Sequence, residues 1–448
     1  MTARTGALSL MAAALTMASA FVSFRAIASV VGVDAFGVWA LVIAALFPLR
    51  FADLSLNVSV LRYLGAIDGV PSRAFVARTL VTAMAINVVA FAACATMSLV
   101  VAPPLIRGSM TTARYDAAFT LMPYVIAVSG AQLISATFGA AMLGLHRFRT
   151  SYLINIAGAV AQITLIYPLA ARAGLIGYAG LQIAIWLAQA VAALVAVEAA
   201  TRGAPAGDRE RFSARALLAL AFKFNFSGLL ATLIEPTAKL LLGRYGTLGL
   251  VGTYEVVFRI FQQARNVGIA PLQPMSIAMI RQRVANPAAF QRTYHCALAF
   301  CLGLAAVCIA GSVPGIWLFR DLLKLRDPLL PAVMLAVGTG TAVSLMSVPA
   351  FFASVASGDV RPVALGTAAF LITTFCAGHL AGMAGGGGGA ILAVVAASYT
   401  VASVVTIAVT GRLLGYAPWP HPAAMRENAS AALSMVRRRG LGRTERSA

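Results

Sequence analysis

Eight charged side chains lie inside long apolar stretches of the sequence, where each needs water or a counter-charge. They are Arg25, Arg50, Asp53, Glu235, Lys239, Glu255, Arg259 and Arg265. A charge at the centre of a membrane span costs roughly 2.5 to 3.5 kcal/mol, so eight charges facing lipid would cost on the order of 20 kcal/mol. We therefore expect them to face one another or a water-filled cavity.

Helical spacing places six of these residues in pairs on common helix faces. The pairs are Glu235 with Lys239 and Glu255 with Arg259 at i,i+4, and Arg50 with Asp53 at i,i+3. Five cations against three anions leave a surplus of two positive charges. Because the guanidinium group presents a fixed fork of donors, arginine suits phosphate oxygens. The pattern favours a cationic cavity that binds an anion.

The eight charges differ in their depth. Arg25, Lys239 and Glu255 lie within about two helical turns of the predicted outer boundary, where they could instead be anchors that snorkel to the interface. The residues nearest mid-span are Arg50, Asp53 and Arg265, and this depth favours function. Prolines in the same stretches are expected to kink or interrupt the helices. They are Pro48, Pro236, Pro271 and Pro274.

Apolar helices must position these charges. Of the 448 residues, 60% are apolar and 11% are charged, and the mean hydropathy is +0.87. This composition excludes soluble enzymes, all-β folds and disordered chains. Apolar runs of bilayer length predict twelve transmembrane helices. They lie near residues 6–30, 35–61, 79–102, 117–143, 150–171, 174–200, 217–243, 250–280, 293–319, 329–356, 361–384 and 390–411.

The distribution of basic residues predicts that both termini are cytoplasmic. In that orientation 22 of the 34 Lys and Arg residues fall in inner loops, termini and helix ends, 7 in outer loops and 5 within spans. This asymmetry follows the positive-inside rule. It accounts for most of the formal net charge of +20 without any nucleic acid as a partner.

An internal repeat divides the chain in two. Offsets of 214 and 215 residues align Arg25, Gly32, Gly37, Trp39 and Arg50 with Lys239, Gly246, Gly252, Tyr254 and Arg265. We expect an all-α integral membrane protein with about 12 transmembrane helices, in two pseudo-symmetric six-helix lobes around a central cavity. The predicted segments are a lobe over 1–205, a cytoplasmic linker over 206–212, a lobe over 213–412 and a basic cytoplasmic tail over 413–448.

The other residue types give no sign of catalysis. No Walker A, HExxH or GxSxG pattern occurs, so we expect no enzyme activity, no catalytic residue, no metal and no cofactor. Asn155 and Gln162 are expected to bond between helices, and His295 and His379 to be structural. The cysteines are expected to be packing residues. They are Cys94, Cys296, Cys301, Cys308 and Cys376.

Four segments of the chain carry a family resemblance. They are VGVDAFGVWALVIAALFPLRFADLSLNVSVLRYL (31–64), AMLGLHRFRTSYLINIAG (141–158), GLVGTYEVVFRI (249–260) and FFASVASGDVRPVALG (351–366). The first contains Gly32, Asp34, Gly37 and Trp39 in its outer loop, then Asp53, Arg62 and Tyr63 in the next helix. This pattern resembles the polysaccharide and O-antigen flippase branch of the multidrug/oligosaccharidyl-lipid/polysaccharide (MOP) exporter superfamily.

The resemblance implies a two-lobed transporter whose first, second, seventh and eighth helices line the cavity. Those four helices carry all eight span charges. It implies flipping of undecaprenyl-pyrophosphate-linked oligosaccharide across the bacterial inner membrane by alternating access, for surface polysaccharides such as O-antigen lipopolysaccharide or exopolysaccharide. The implied partners are membrane lipids, this lipid-linked substrate, a polysaccharide polymerase and glycosyltransferases.

The resemblance also implies a role for each span charge. Implied contacts to pyrophosphate or acidic sugar are Arg25, Arg50, Lys239, Arg259 and Arg265. Implied ion-pair partners or coupling sites are Asp53, Glu235 and Glu255. Two features depart from other members of the superfamily. Lipid II flippases typically have fourteen helices, and drug antiporters commonly carry an acid in the first helix, where this chain has only Arg25.

Other interpretations stay open. A cation-coupled multidrug or small-molecule antiporter would need net negative charge in the cavity, which the surplus of cations opposes. A membrane-embedded glycan polymerase or ligase would need a large outer loop, and the longest predicted outer loops, near 103–116 and 320–328, are short. For coupling, Glu235 is the preferred acid because Pro236 predicts a helix break that admits water. The alternative is a permanent pair of Glu235 with Lys239.

Overall fold

Helices make up nearly all of the residues that the structure describes. The computed structural model describes residues 3–52, 56–65, 67, 71–108, 112–202, 213–215, 217–218, 230–269, 272, 275, 279, 282–283, 286–322, 325, 327–357, 359 and 361–415. No β-strand occurs among these residues, so the predicted all-α fold is confirmed. The helices are α1 (Ala3–Val30), α2 (Val33–Ala45), a 3₁₀-helix (Phe47–Ala52), α3 (Leu56–Gly65), α4 (Arg73–Arg107), α5 (Thr112–Gly144), α6 (Phe148–Thr201), α7 (Ile234–Tyr245), α8 (Leu248–Ile269), α9 (Pro287–Leu322), α10 (Leu330–Met346), α11 (Val348–Ser357), α12 (Arg361–Met383) and α13 (Gly387–Leu414).

Most of the predicted transmembrane spans correspond to helices in the described part of the chain. The described part of the chain contains eight helices that are long and apolar enough to cross a membrane, together with the shorter apolar helix α2. α6 has 54 residues, or about 80 Å, more than twice the hydrocarbon thickness of roughly 30 Å. Gly174 interrupts it with φ 57° and ψ −135°. α6 therefore supplies both spans that were predicted over 150–171 and 174–200.

The second predicted span is interrupted near its arginine. A single helix is predicted over 35–61, but α2 ends at Ala45, the chain continues as the 3₁₀-helix, and α3 begins at Leu56. Pro48 lies in the 3₁₀-helix, and its missing N–H disfavours a continuous α-helix. The expected interruption at Pro48 is confirmed. Arg50 consequently lies on irregular backbone, which membrane proteins tolerate only inside protein or beside a cavity.

α7 also begins next to a proline. The chain makes a turn at Leu233, α7 starts at Ile234, and Pro236 occupies its first turn. Proline fits this position because the first N–H groups of a helix have no partner within the helix. A helix break was expected beside Glu235. It is present at Leu233, just before α7 begins.

The described residues pack into two compact units. The first contains residues within 1–260, 317–333 and 378–391, and the second contains the remainder. The predicted lobes, over 1–205 and 213–412, divide the sequence differently from these two units. The division into two lobes therefore stays a prediction. The linker over 206–212 and the tail beyond Gly415 lie outside the described residues.

The first unit has its core between α3, α4, α5 and α6. Leu56, Phe75 and Met142 belong to this core and are almost fully buried. Gln162 Nε2 donates a hydrogen bond of 2.9 Å to Ser23 Oγ, which joins α6 to α1. The predicted interhelical bond of Gln162 is confirmed, whereas Asn155 is exposed.

The second unit has a core of its own. Tyr294 and Cys301 on α9 are fully buried there, and the rings of Phe370 and Tyr399 pack with their centroids 4.7 Å apart. All five cysteines are free, and the burial of Cys301 agrees with a packing role. His379, in the first unit, has its Nδ1 atom 2.7 Å from the Tyr245 hydroxyl, a structural contact between α12 and α7.

α2 and α8 of the first unit meet backbone to backbone at two glycines. A Cβ atom on Gly37 would collide with the carbonyl oxygen of Leu248, and one on Gly252 would collide with that of Val33. The repeat aligns Gly37 with Gly252, and a Cβ on Gly252 would lie 3.0 Å from the Gly37 nitrogen. Where two halves are related by a twofold axis, equivalent residues of the halves meet at that axis. The contact between Gly37 and Gly252 therefore supports the internal repeat.

Candidate functional site

Five of the predicted span charges form one connected ion-pair network in the first unit. Arg50 Nη1 donates to Glu235 Oε2 at 2.8 Å. Lys239 Nζ contacts both Glu235 and Glu255, and Arg259 Nε contacts Glu255. Each carboxylate is therefore held by two cations. The order along the network is Arg50, Glu235, Lys239, Glu255 and Arg259.

Three helical elements bring these residues together. Arg50 lies on the 3₁₀-helix, Glu235 and Lys239 lie one turn apart on α7, and Glu255 and Arg259 lie one turn apart on α8. The two i,i+4 pairs predicted from spacing are confirmed. The contacts from Arg50 to Glu235 and from Lys239 to Glu255 join different elements. No spacing in the sequence indicates them.

Exposure increases from the centre of the network to its ends. The side chains of Lys239 and Glu255 are 0% exposed, that of Glu235 is 16% exposed, and those of Arg50 and Arg259 are 30% and 44% exposed. Buried charges are stable only when they are paired, and the central residues meet that condition. Three cations against two anions leave one net positive charge, and the two arginines at the ends present it.

A cavity of about 450 Å³ adjoins the network. Its wall consists of residues from the 3₁₀-helix, α1, α2, α4, α5, α6 and α8, with Thr232 just before α7. The charged residues in this wall are Arg50, Glu255 and Arg259. Since Glu255 is fully buried and bound by two cations, the exposed charge at the cavity surface is that of the guanidinium groups.

The remainder of the cavity wall combines aromatic rings, aliphatic side chains and neutral polar side chains. Its aromatic residues are Phe24, Phe36, Trp39, Phe91, Tyr178 and Trp186, and its neutral polar residues are Ser129, Gln132, Gln182 and Thr232. Tyr178, Gln182 and Trp186 share one face of α6 because they are spaced by four residues. This spacing is visible in the sequence and could have indicated a polar and aromatic face on α6. An analysis of the charged residues alone did not identify these three residues.

Two of the predicted site residues that the structure describes, Arg25 and Arg265, are not part of the network. Arg25 is exposed on α1 and does not line the cavity. Arg265 lies in the second unit, and its Nε atom is buried without a hydrogen-bond partner among the described residues. Asp53 lies outside the described residues. The predicted substrate contacts of Arg25 and Arg265 stay predictions.

Among the described residues, no group of three or more His, Cys, Asp or Glu side chains is placed to hold a metal ion. The polar groups that the cavity presents are guanidinium, amide and hydroxyl groups. Such groups bind anions and hydroxyl-bearing ligands by hydrogen bonds.

Solved structures of MOP superfamily transporters have the same fold as this chain. A multidrug resistance MATE family transporter of that superfamily, in an inward-facing conformation, has a TM-score of 0.67 at 13% identity, covering 89% of this chain and 94% of the other. The lipid II flippase MurJ, in an inward closed conformation, has a TM-score of 0.66 at 10% identity, covering 97% and 91%.

A MOP superfamily transporter from Pyrococcus furiosus, described as having a binding pocket of reverse polarity, has a TM-score of 0.57 at 13% identity, covering 90% and 95%. No family model matches the sequence, and no curated protein sequence matches it. At these identities the similarity establishes the fold. The chain is a multi-pass membrane protein with the fold of MOP superfamily transporters.

Proposed function

We propose that this protein is a flippase that moves undecaprenyl-pyrophosphate-linked oligosaccharide across the bacterial inner membrane by alternating access, for assembly of surface polysaccharide. The observation that carries this proposal is the pair of exposed guanidinium groups, those of Arg50 and Arg259, in the cavity wall. Arginine binds phosphate oxygens through charge-assisted hydrogen bonds, which are about twice as strong as neutral ones.

The charge of the network supports an anionic ligand. Glu235 and Glu255 are each bound by two cations, so neither carboxylate is available to a cationic ligand. A cation entering the cavity would meet the net positive charge of the network in a medium of low dielectric. An anion would instead gain interactions with Arg50 and Arg259.

The size of the cavity supports recognition of a headgroup rather than a whole glycan. Its volume of about 450 Å³ lies within the range of about 300 to 1,000 Å³ that holds a small ligand. A pyrophosphate with its nearest sugar has this scale. The rest of the glycan and the polyprenyl chain would remain outside the cavity.

The topology gives the proposed direction of transport. The positive-inside pattern supports cytoplasmic termini, and glycosyltransferases on that side would supply the substrate. A polysaccharide polymerase on the outer side would consume it. The similarity to a lipid II flippase is consistent with a lipid-linked substrate.

The test is flipping of a labelled lipid-linked oligosaccharide in proteoliposomes. The variant carries both Arg50→Gln and Arg259→Gln; each carboxylate keeps Lys239 as a partner, and the melting temperature in detergent shows whether the fold is retained. We expect flipping to slow by at least about tenfold, because hydrogen bonds to charged groups contribute roughly 1.5 to 3 kcal/mol each.

The matched control for this test is Arg361→Gln. Arg361 is 74% exposed, pairs with Asp359 at 2.6 Å and does not line the cavity. We expect this variant to flip the substrate at the wild-type rate. Retained flipping in the double variant would contradict the proposal.

A second candidate function is multidrug or small-molecule antiport, because aromatic rings line much of the cavity and bind flat, apolar ligands. The two candidates differ in the charge of the substrate. Uptake of a cationic dye by proteoliposomes, driven by an ion gradient, would favour the antiporter. The flippase proposal expects no such uptake.

A further inference from the structure

Part of the cavity wall consists of aromatic and amide side chains, which the binding of phosphate does not require. Trp39, Tyr178 and Trp186 bring aromatic rings to it, and Gln132 and Gln182 bring amides. We propose that this wall is a subsite for a pyranose ring, namely the sugar that is joined directly to the diphosphate. The inference rests on the proposed function and deepens it, since the protein would then select substrates by their first sugar.

The arrangement on α6 has the chemistry that a sugar ring needs. Tyr178, Gln182 and Trp186 follow one another on the same face, so that an amide lies between two aromatic rings. The ring of Tyr178 is held by an edge-to-face contact with Trp39, with centroids 5.4 Å apart. The Gln182 amide and the Tyr178 hydroxyl lie close to each other on this face.

The aromatic wall is adjacent to the anion site. The Tyr178 phenol interacts electrostatically with Arg259 and Glu255, and all three residues line the cavity. A ligand whose phosphate is bound by Arg259 would therefore place the neighbouring part of its structure against Tyr178. In a glycosyl diphosphate that neighbouring part is the first sugar.

A pyranose ring has an apolar C–H face and a rim of hydroxyl groups. Aromatic side chains with polar tips pack against apolar faces while they bond to polar groups. Glutamine supplies both donors and an acceptor to hydroxyl groups. The alternation of rings and amides on α6, beside a cationic site, fits a sugar phosphate.

The experiment compares two water-soluble probes that differ only in the sugar. One is the methyl ester of a short-chain isoprenyl diphosphate, and the other carries a hexose in place of the methyl group, so that both diphosphate diesters have the same charge. Binding to the purified protein is measured by tryptophan fluorescence, since Trp39 and Trp186 are two of the four tryptophans. We expect the wild-type protein to bind the hexosyl compound at least about tenfold more tightly, because sites built for hydroxyl groups reject analogues that lack them.

The variants test which side chains produce that ratio of affinities. Gln182→Leu and, separately, Gln132→Leu are expected to reduce the ratio to about threefold or less. Gln189→Leu is the matched control, because Gln189 lies on the same helix, packs against Gly158 and does not line the cavity. This control is expected to keep the wild-type ratio.

The outcomes separate this inference from the proposed function. Equal affinity of the wild-type protein for the two probes overturns the sugar subsite and leaves the flippase proposal standing. Failure to bind either probe overturns the proposed function itself. If Gln182→Leu misfolds and binds neither probe, the test rests on the ratio of affinities measured for Gln132→Leu. A wild-type ratio in that variant overturns the role of the amides.

Discussion

At the scale of single residues, Lys239 is the centre of the charge network. It is fully buried and is shared by Glu235 on its own helix and Glu255 on α8. Water cannot replace a lost partner at this depth. The stability of the network therefore depends more on Lys239 than on the arginines at its ends.

Substitution of Lys239 tests this dependence. Lys239→Met removes the charge and keeps most of the side-chain volume, but it leaves two acids short of a cation. We expect the free energy of unfolding in detergent to fall by about 3 to 5 kcal/mol, as for other broken buried ion pairs. Arg73→Met is the control, because the Arg73 and Glu198 side chains are 66% and 42% exposed and such pairs contribute about 1 kcal/mol or less. Equal destabilisation by the two substitutions would refute the central role of Lys239.

Sequence analysis reached only part of the network. The i,i+4 pairs followed from helical spacing, which is local geometry. The bond from Arg50 to Glu235 joins residues 185 positions apart and depends on how the helices pack. The sequence could identify the charged residues but not their partners.

The surroundings of Arg265 also could not be predicted from the sequence. The repeat makes it the equivalent of Arg50, yet it lies in the second unit, whose described spans contain no Asp or Glu. Its Nε atom has no hydrogen-bond partner among the described residues. Arg265 does not line the cavity, so its predicted substrate contact stays a prediction.

At the scale of helical elements, the contact between Gly37 and Gly252 sets the approach of α2 to α8. Each glycine faces a carbonyl oxygen of the other helix, so no side chain fits without separation of the two backbones. In alternating access, the outer ends of these helices would separate to open the cavity outward.

Gly252→Val is expected to favour that separated state. The measurement is labelling of Thr253→Cys, in the same protein, by a membrane-impermeant maleimide, read at residue 253 by mass spectrometry. Thr253 is fully buried in the present state, so we expect labelling to be several-fold faster with Gly252→Val. The control is Gly303→Val, because a Cβ on Gly303 meets no atom within 4 Å. The same labelling rate with both substitutions would contradict this gating role.

The helix boundaries show what hydropathy can and cannot predict. Length and apolarity located the spans because the bilayer imposes both. The interruption between α2 and α3 was indicated only by Pro48, and the 3₁₀-helix that carries Arg50 was not predicted. Apolar residues continue through the break, so hydropathy does not change there.

At the scale of the whole molecule, the fold and the presence of a cationic cavity were predictable, and the residues of the cavity wall were not. The composition left helices as the spanning elements, and the basic residues predict their orientation. The cavity wall draws single residues from many helices, and their convergence is a property of packing. The aromatic and amide residues on α6 looked like ordinary residues of an apolar helix until the fold placed them beside Arg259.

The energy source for transport is a property of the whole molecule, and Glu235 is the proposed coupling acid. It is the less buried carboxylate of the network and is bound by Arg50 and Lys239. An anion that binds Arg50 would take one cation from Glu235, so substrate binding and protonation of Glu235 become linked. The alternative is that Glu235 only neutralises its two partners.

Reconstituted flipping with and without an imposed proton gradient distinguishes these alternatives. If Glu235 couples transport, the gradient accelerates the wild-type protein several-fold and has no effect on Glu235→Gln, which keeps the shape of the side chain but cannot exchange a proton. Glu198→Gln is the matched control, since Glu198 is an exposed acid paired with Arg73, and it should respond to the gradient as the wild type does. A gradient that accelerates neither protein, or accelerates the wild type and Glu235→Gln equally, would show that Glu235 is structural and that the driving force enters elsewhere.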